Sequence, residues 1–259
     1  MKLDEIGFYT LSDARAASSA SVGAPIARAE IIVTDKCNFS CPYCRQIRED
    51  CRGSKTFTEV LQILQFLNQH HTRAIRFSGG EPTIWLSLQS AVRMARHFGI
   101  RRIAISTNGS APQDCYEDLL FGGVNDFSIS LDACCASDGE MMAGGVDAWS
   151  TVIANIHYLS AQTYVTVGIV VTEANAAKLS ETVALAHSLG VADIRVITAA
   201  QESSTAYHAT REAMLSIPDA IITAHPILAY RVENARRQVA MRGLTSDHPR
   251  CCPLVIDDI

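Results

Sequence analysis

Three cysteines, Cys37, Cys41 and Cys44, stand four and three positions apart in the run Cys37-Asn-Phe-Ser-Cys41-Pro-Tyr-Cys44. On a short loop, thiolates at these spacings can converge on one metal centre. Structural zinc takes four ligands, and no CxxC or HxxxH partner pair lies nearby. An iron–sulfur cube likewise takes four cysteines. Three alone leave one iron open to a small molecule, which makes the missing fourth ligand informative. Cys51 is the alternative fourth ligand, but the arginine-rich segment before it offers no turn back toward the site, and it reads first as a loop thiol.

The chain has 259 residues with nine cysteines, an odd number that excludes complete internal pairing. Hydrophobic residues make up 48% and charged residues 19%, which excludes a disordered chain. The net charge of −5, from 22 basic and 27 acidic residues, gives no electrostatic reason to expect nucleic acid or an anionic membrane as partner. No apolar run approaches the roughly 18 residues of a membrane span. The opening MKLDEIGFYT carries charges where a signal peptide needs its apolar stretch. The expectation is a cytoplasmic protein whose cysteines serve as ligands, catalysts or buried thiols.

Elements must hold the cysteine loop in place. Short β-branched runs at Ala29–Thr34, Ala74–Ser78, Arg102–Thr107, Asp126–Leu131, Tyr164–Val171 and Ile194–Thr198 read as strands. Their nearly continuous apolar character predicts burial on both faces. Between them lie helical patterns. Thr56-Phe57-Thr58-Glu59 is a capping box before Val60, Leu61, Leu64 and Leu67. Asp147 and Asn175 are expected to cap two further helices, the second ending at Gly190. About six β–α units follow, implying an α/β fold with a parallel sheet. Residues 1–28 read as an arm or linker, 29–200 as the core, and 201–259 as a helical extension.

The cysteine run directly after the first strand resembles the CxxxCxYC signature of radical S-adenosylmethionine enzymes. Further matches follow in order at strand ends. Ser78-Gly79-Gly80-Glu81-Pro82 resembles the family's GGEP motif, and its glycines let backbone approach a ligand closely. Thr107-Asn108-Gly109 and Ser130-Leu131-Asp132 resemble segments that bind the methionyl carboxylate and the ribose, and Gly168-Ile169-Val170 matches loosely a stretch that supports adenine.

The resemblance implies a partial (β/α)6 TIM-type barrel with its chemistry at the carboxyl ends of the strands. It implies a [4Fe–4S] cluster on Cys37, Cys41 and Cys44, and S-adenosylmethionine bound by Tyr43, Gly79, Gly80, Glu81, Pro82, Thr107, Asn108, Ser130, Asp132 and Gly168. It implies reductive cleavage of that cofactor to a 5′-deoxyadenosyl radical, with an electron donor such as flavodoxin or ferredoxin. Within the family the pattern leans toward the branch of cyclic pyranopterin synthase and of enzymes with SPASM or twitch extensions. It lacks the pterin enzyme's glycine–arginine lead-in and C-terminal three-cysteine site. The substrate is then a small molecule or a peptide, with a nucleotide-like metabolite ahead.

Cys134 and Cys135 could donate a hydrogen atom to a substrate radical, or be inert buried thiols. Cys251-Cys252 lies where relatives place an auxiliary cluster; either that site is absent or the chain is truncated. His70-His71 ends a helix and complements its dipole. Arg76 and Arg195 either face a substrate anion or pair with acidic neighbours, and the arginines from Arg211 to Arg242 read as a solvated face. The rival reading is a non-catalytic iron–sulfur or zinc binding or electron-transfer protein that uses Cys51 as its fourth ligand.

Overall fold

The computed structural model describes residues 26, 28–44, 53–199 and 204–237. The readings placed on Cys51, Arg242, Cys251, Cys252 and most of the N-terminal arm lie outside them. Six strands form one parallel sheet in sequence order: β1 Arg28–Thr34, β2 Ala74–Gly79, β3 Arg102–Thr107, β4 Asp126–Ser130, β5 Tyr164–Val171 and β6 Asp193–Thr198. β1 and β6 do not pair, so the sheet is an open partial barrel. Among the described residues no helix is long and apolar enough to cross a membrane.

Strand pairing sorts the side chains into two faces. Ile75 and Phe77, Ile103 and Ile105, Phe127 and Ile129, Val165 and Val167, and Ile194 all point one way and are fully buried. They share one core with Val60, Leu64 and Leu67 of α1 (Phe57–Gln69), Val92 of α2 (Leu88–His97) and Leu119 of α3 (Gln113–Gly122). Ile156 and Leu159 of α5 (Trp149–Gln162) and Val183 of α6 (Leu179–Ser188) complete it. This face supplies the hydrophobic driving force.

The alternate positions bring Ser78, Ser106, Ser128, Ser130, Thr166 and Gly168 to the concave face, in register across neighbouring strands. The expected burial on both faces holds over most of β3, β4 and β5, where Ala104, Ser128 and Thr166 are buried on the concave side, but that side is small and polar, not uniformly apolar. Alternation at period two is present, masked by the small residues of the concave side. Arg76 lies on that face too, and pairs with Glu30, its register partner on β1.

The capping box at Thr56 and Glu59 forms as expected. The other two caps do not. Ala148, not Asp147, is the N-cap of α5. Asn175 precedes a short 3-10 turn, Ala176–Lys178, and its side chain is committed elsewhere. Gly190 does close the turn after α6, at φ 80°.

Three helices follow β6: α7 Ser204–Leu215, α8 Asp219–Ala224 and α9 Pro226–Arg236. Asp193, fully buried at the start of β6, accepts from the Ile227 amide with both oxygens at 3.0 Å, satisfying an orphan N–H of α9. Burial pushes its carboxyl up to about 6, while the amides of Ile227, Ile194 and Leu228 pull the other way. Asp193→Ala should lower unfolding stability by about 1–2 kcal/mol, read as a lower urea midpoint at unchanged slope. The arginines here are not one solvated face. Arg211 donates to the Ala235 carbonyl at 2.7 Å, and Arg231 is pushed down to about 10 by burial and by Arg195.

Candidate functional site

The cysteine loop leaves β1 and is gripped at once by the end of β2. Gly80 N–H donates to the Thr34 carbonyl at 2.7 Å, and Glu81 N–H donates to the Lys36 carbonyl at 2.8 Å. A Cβ on Gly79 would lie 2.1 Å from Thr34 O, and one on Gly80 2.1 Å from Lys36 O. The two glycines thus admit the chain's own backbone immediately before Cys37. The close approach expected for a ligand is made at this point by the cysteine loop itself.

Glu81 is fully buried. Its Oε1 accepts from Thr83 N, Thr83 Oγ1 and Thr107 Oγ1 at 3.0, 2.7 and 2.8 Å, and its Oε2 from Asn108 N at 2.7 Å. Burial raises its carboxyl above the usual range, against those donors. The carboxylate ties the turn after β2 to the end of β3. Asn108 is held in turn: its Nδ2 donates to Asn38 Oδ1 at 2.8 Å, and its Oδ1 accepts from Ser110 N at 3.0 Å.

Above the strand ends lies a cavity of about 220 Å³. Cys37, Cys41 and Cys44 all line it, together with Tyr43, Gly79, Gly80, Thr107, Asn108, Ser130 and Asp132. Five candidate positions fall elsewhere or face away. Glu81 and Pro82 do not line the cavity, because the first is saturated by its partners in the turns after β2 and β3 and the second is buried at the start of the 3-10 turn Pro82–Ile84. Gly168 sits lower on the concave face, 3.9 Å from Arg195 Nη2 to a Cβ built on it. Cys134 and Cys135 are not among the residues that line the cavity.

The three thiols share one cavity wall, though their sulfurs do not all lie within 4.8 Å of one another. Burial raises the Cys37 thiol, and pushes Cys41 up to about 11 with Asp132, Cys37 and Cys44 adding to the effect. Ionising Cys37 and Cys41 is disfavoured unless a cation sits beside the sulfurs, so the donor chemistry fits a metal cluster. The Tyr43 hydroxyl donates to Asp132 Oδ2. Asp132 Oδ1 accepts from Val170 N at 2.6 Å, and burial lifts this carboxyl to about 6. Asn175 Nδ2 donates to the carbonyls of Asp132 and Val170 at 2.8 and 2.9 Å, fixing the loop after β4.

Residues 31–186 match the family model of the radical SAM superfamily. The chain belongs to that superfamily. It is similar to a protein of Metallosphaera sedula named probable GTP 3′,8-cyclase, 25% identical over 179 residues, 68% of this chain and 56% of that protein. A Saccharolobus islandicus protein of the same name is 28% identical over 183 residues, 68% of this chain and 58% of that protein. The chain thus spans less than two thirds of the length of these relatives. Among solved structures, anSMEcpe with bound AdoMet aligns at TM-score 0.60 and 14% identity, covering 74% of this chain and 59% of that one. Streptococcus suis SuiB aligns at TM-score 0.60 and 16% identity, over 69% of this chain and 40% of that one. Both likenesses establish the fold. The cofactors of the radical SAM superfamily are a [4Fe–4S] cluster and S-adenosylmethionine.

In this radical SAM chain the wall facing the cysteines was not foreseen from sequence. It comes from α4 (Ala136–Met142), the following loop and α5, through Met142, Ala143, Val146, Ala148, Trp149 and Val152. Ser40 N–H donates to the Ala143 carbonyl at 3.1 Å, and Gly144, at φ 77°, has no room for a Cβ because Ser40 O would be 2.3 Å away. The wall is therefore clasped to the cysteine loop. Its only sequence signal was a pair of glycines, Gly144-Gly145, between two weak helices.

Proposed function

We propose that this chain is a radical S-adenosylmethionine enzyme in which Cys37, Cys41 and Cys44 hold the [4Fe–4S] cluster. The observation that carries this reading is a cavity lined by those three thiols and by no fourth thiol or imidazole among the described residues. The cluster's role, when bound, is to deliver one electron to the sulfonium of S-adenosylmethionine, yielding methionine and a 5′-deoxyadenosyl radical that abstracts hydrogen from substrate.

The chain's own residues bind, orient and exclude water. Gly79 and Gly80 present backbone along the rim, Asn108 and Ser130 offer donors to the methionyl carboxylate and ribose, and Asp132 accepts from a ribose hydroxyl. Tyr43 stays fixed through Asp132, which orients the loop between Cys41 and Cys44. The apolar α4–α5 wall keeps solvent from the radical. An external one-electron donor of the flavodoxin or ferredoxin type reduces the cluster. Residues 29–200 act as the catalytic core, and 201–259 as an extension to it.

For the substrate we favour a nucleotide-like metabolite over a peptide. That preference rests on the relatives named as GTP cyclases; Arg76 on the concave face is already paired with Glu30.

The test is anaerobic. After reconstitution with iron and sulfide and reduction with dithionite, addition of S-adenosylmethionine and GTP should produce 5′-deoxyadenosine by mass spectrometry. Cys41→Ala should abolish it, and Cys51→Ala should retain both cluster and product. Loss of the cluster in Cys51→Ala, with no S-adenosylmethionine binding by the parent, would favour the four-ligand rival.

A further inference from the structure

We infer that Cys134, Cys135 and Asp138, with Glu181, form a second metal site, separate from the cavity and suited to a thiophilic divalent cation such as Zn²⁺. Among the described residues this is the one group of three ligating side chains whose donor atoms all lie within 4.8 Å of one another. The fourth group is at hand: Cys134 Sγ donates to Glu181 Oε2 at 3.3 Å. The donors come from the loop after β4 running into the first turn of α4, and from the first turn of α6, so one ion would join two segments distant in sequence.

The donor set decides the cation. Adjacent thiolates select a soft or borderline metal over Mg²⁺ or Ca²⁺. Zn²⁺ takes thiolate and carboxylate ligands tetrahedrally at about 2.3 and about 2.1 Å, which places donors ~3.5 Å apart. The three donors, all within 4.8 Å of one another, would draw together by about 1 Å on binding. Lys178 Nζ holds Asp138 Oδ2 at 2.6 Å, leaving Oδ1 to coordinate and offsetting part of the site's negative charge. Without a cation the thiol of Cys134 is pushed up to about 11, first by burial and then by Glu181 and Cys135. Binding therefore exchanges two thiol protons for one ion: two R–SH and Zn²⁺ give a bis-thiolate complex and two H⁺, with no redox change.

Position gives the site a role. Cys134 lies two residues beyond Asp132, which lines the cavity and holds Tyr43. An ion here would pin the loop after β4 against α6, steadying one side of the cofactor chamber without touching it.

The test uses protein already loaded with its iron–sulfur cluster, so that Cys37, Cys41 and Cys44 are occupied. After incubation with ZnCl₂ and gel filtration against a micromolar chelator, elemental analysis should find about one zinc per chain at full iron content. Cys134→Ser/Cys135→Ser should lose that zinc and keep its iron, whereas Cys115→Ser should keep both. Co²⁺ in place of zinc should give thiolate-to-metal charge-transfer absorption in the parent and none in the double variant. If the double variant folds poorly, Glu181→Gln leaves the loop intact and should weaken zinc binding about 10- to 100-fold. No retained zinc in the parent, or zinc unchanged in both variants, overturns the site.

Discussion

Gly80→Ala should yield a protein that takes up little iron during anaerobic reconstitution. The residue does not have a positive φ, so the demand is for space and not for a left-handed backbone. A methyl group there would lie 2.1 Å from Lys36 O and 2.8 Å from Asp35 O. Lys36 O is held in place by the Glu81 amide, and Thr34 O, two residues earlier, by the Gly80 amide. The chain must part at this seam, and Cys37 is the next residue along it. Overpacking of this kind costs about 1–3 kcal/mol or more, and the displacement falls on the first of the three sulfurs. Iron and sulfide per chain, with the cluster's absorption band, measure the outcome. Gly99→Ala, where the added Cβ would meet nothing within 4 Å but the backbone is strained at φ 80°, is the control for destabilisation without a clash at the seam. Full loading of Gly80→Ala would show that the seam is not what places the cysteines.

The second large effect is expected at Glu81. Glu81→Ala leaves the amides of Thr83 and Asn108 and the hydroxyls of Thr83 and Thr107 without their acceptor in a dry site. Each buried unsatisfied group costs about 1–3 kcal/mol. With partial relaxation, a total of about 3–5 kcal/mol is expected, a large share of a typical stability of about 5–15 kcal/mol. Glu81→Gln should lose less, since one oxygen remains, but its amide group must face a donor. Urea denaturation of the cluster-free protein is the measurement. A direct cofactor contact predicts the reverse: unchanged stability of the cluster-free protein and weakened S-adenosylmethionine binding.

These variants mark where local pattern stops being informative. The strands were legible to within a residue at most ends, since β-branched runs between caps and glycines depend on neighbours in sequence. The cysteines were legible for a different reason, because ligand spacing on one loop is itself local. Glu81 was not: its partners on β3 lie 26 and 27 positions away. The same holds for Asn175, which reads as a cap by type but spends its amide on the Asp132 and Val170 carbonyls. Asp147 met the local rule for a cap and lost the position to Ala148, where packing of Trp149 into the cavity wall sets the start of α5. The wall itself is long-range packing against Ser40, with no motif to announce it.

The two faces of the sheet carry different kinds of heritable change. Along β3, Ser106 lines the chamber, while Ile105, one position earlier, is sealed in the core. Phe127 beside Ser128 and Val167 beside Gly168 repeat the arrangement on β4 and β5. A substitution at a concave position alters the volume or polarity that a substrate meets and leaves the apolar layer beneath it intact. A lineage can therefore drift from one substrate to another by single steps on alternate residues, without first acquiring stabilising changes elsewhere. Diversity of chemistry on this frame is a product of its period-two geometry.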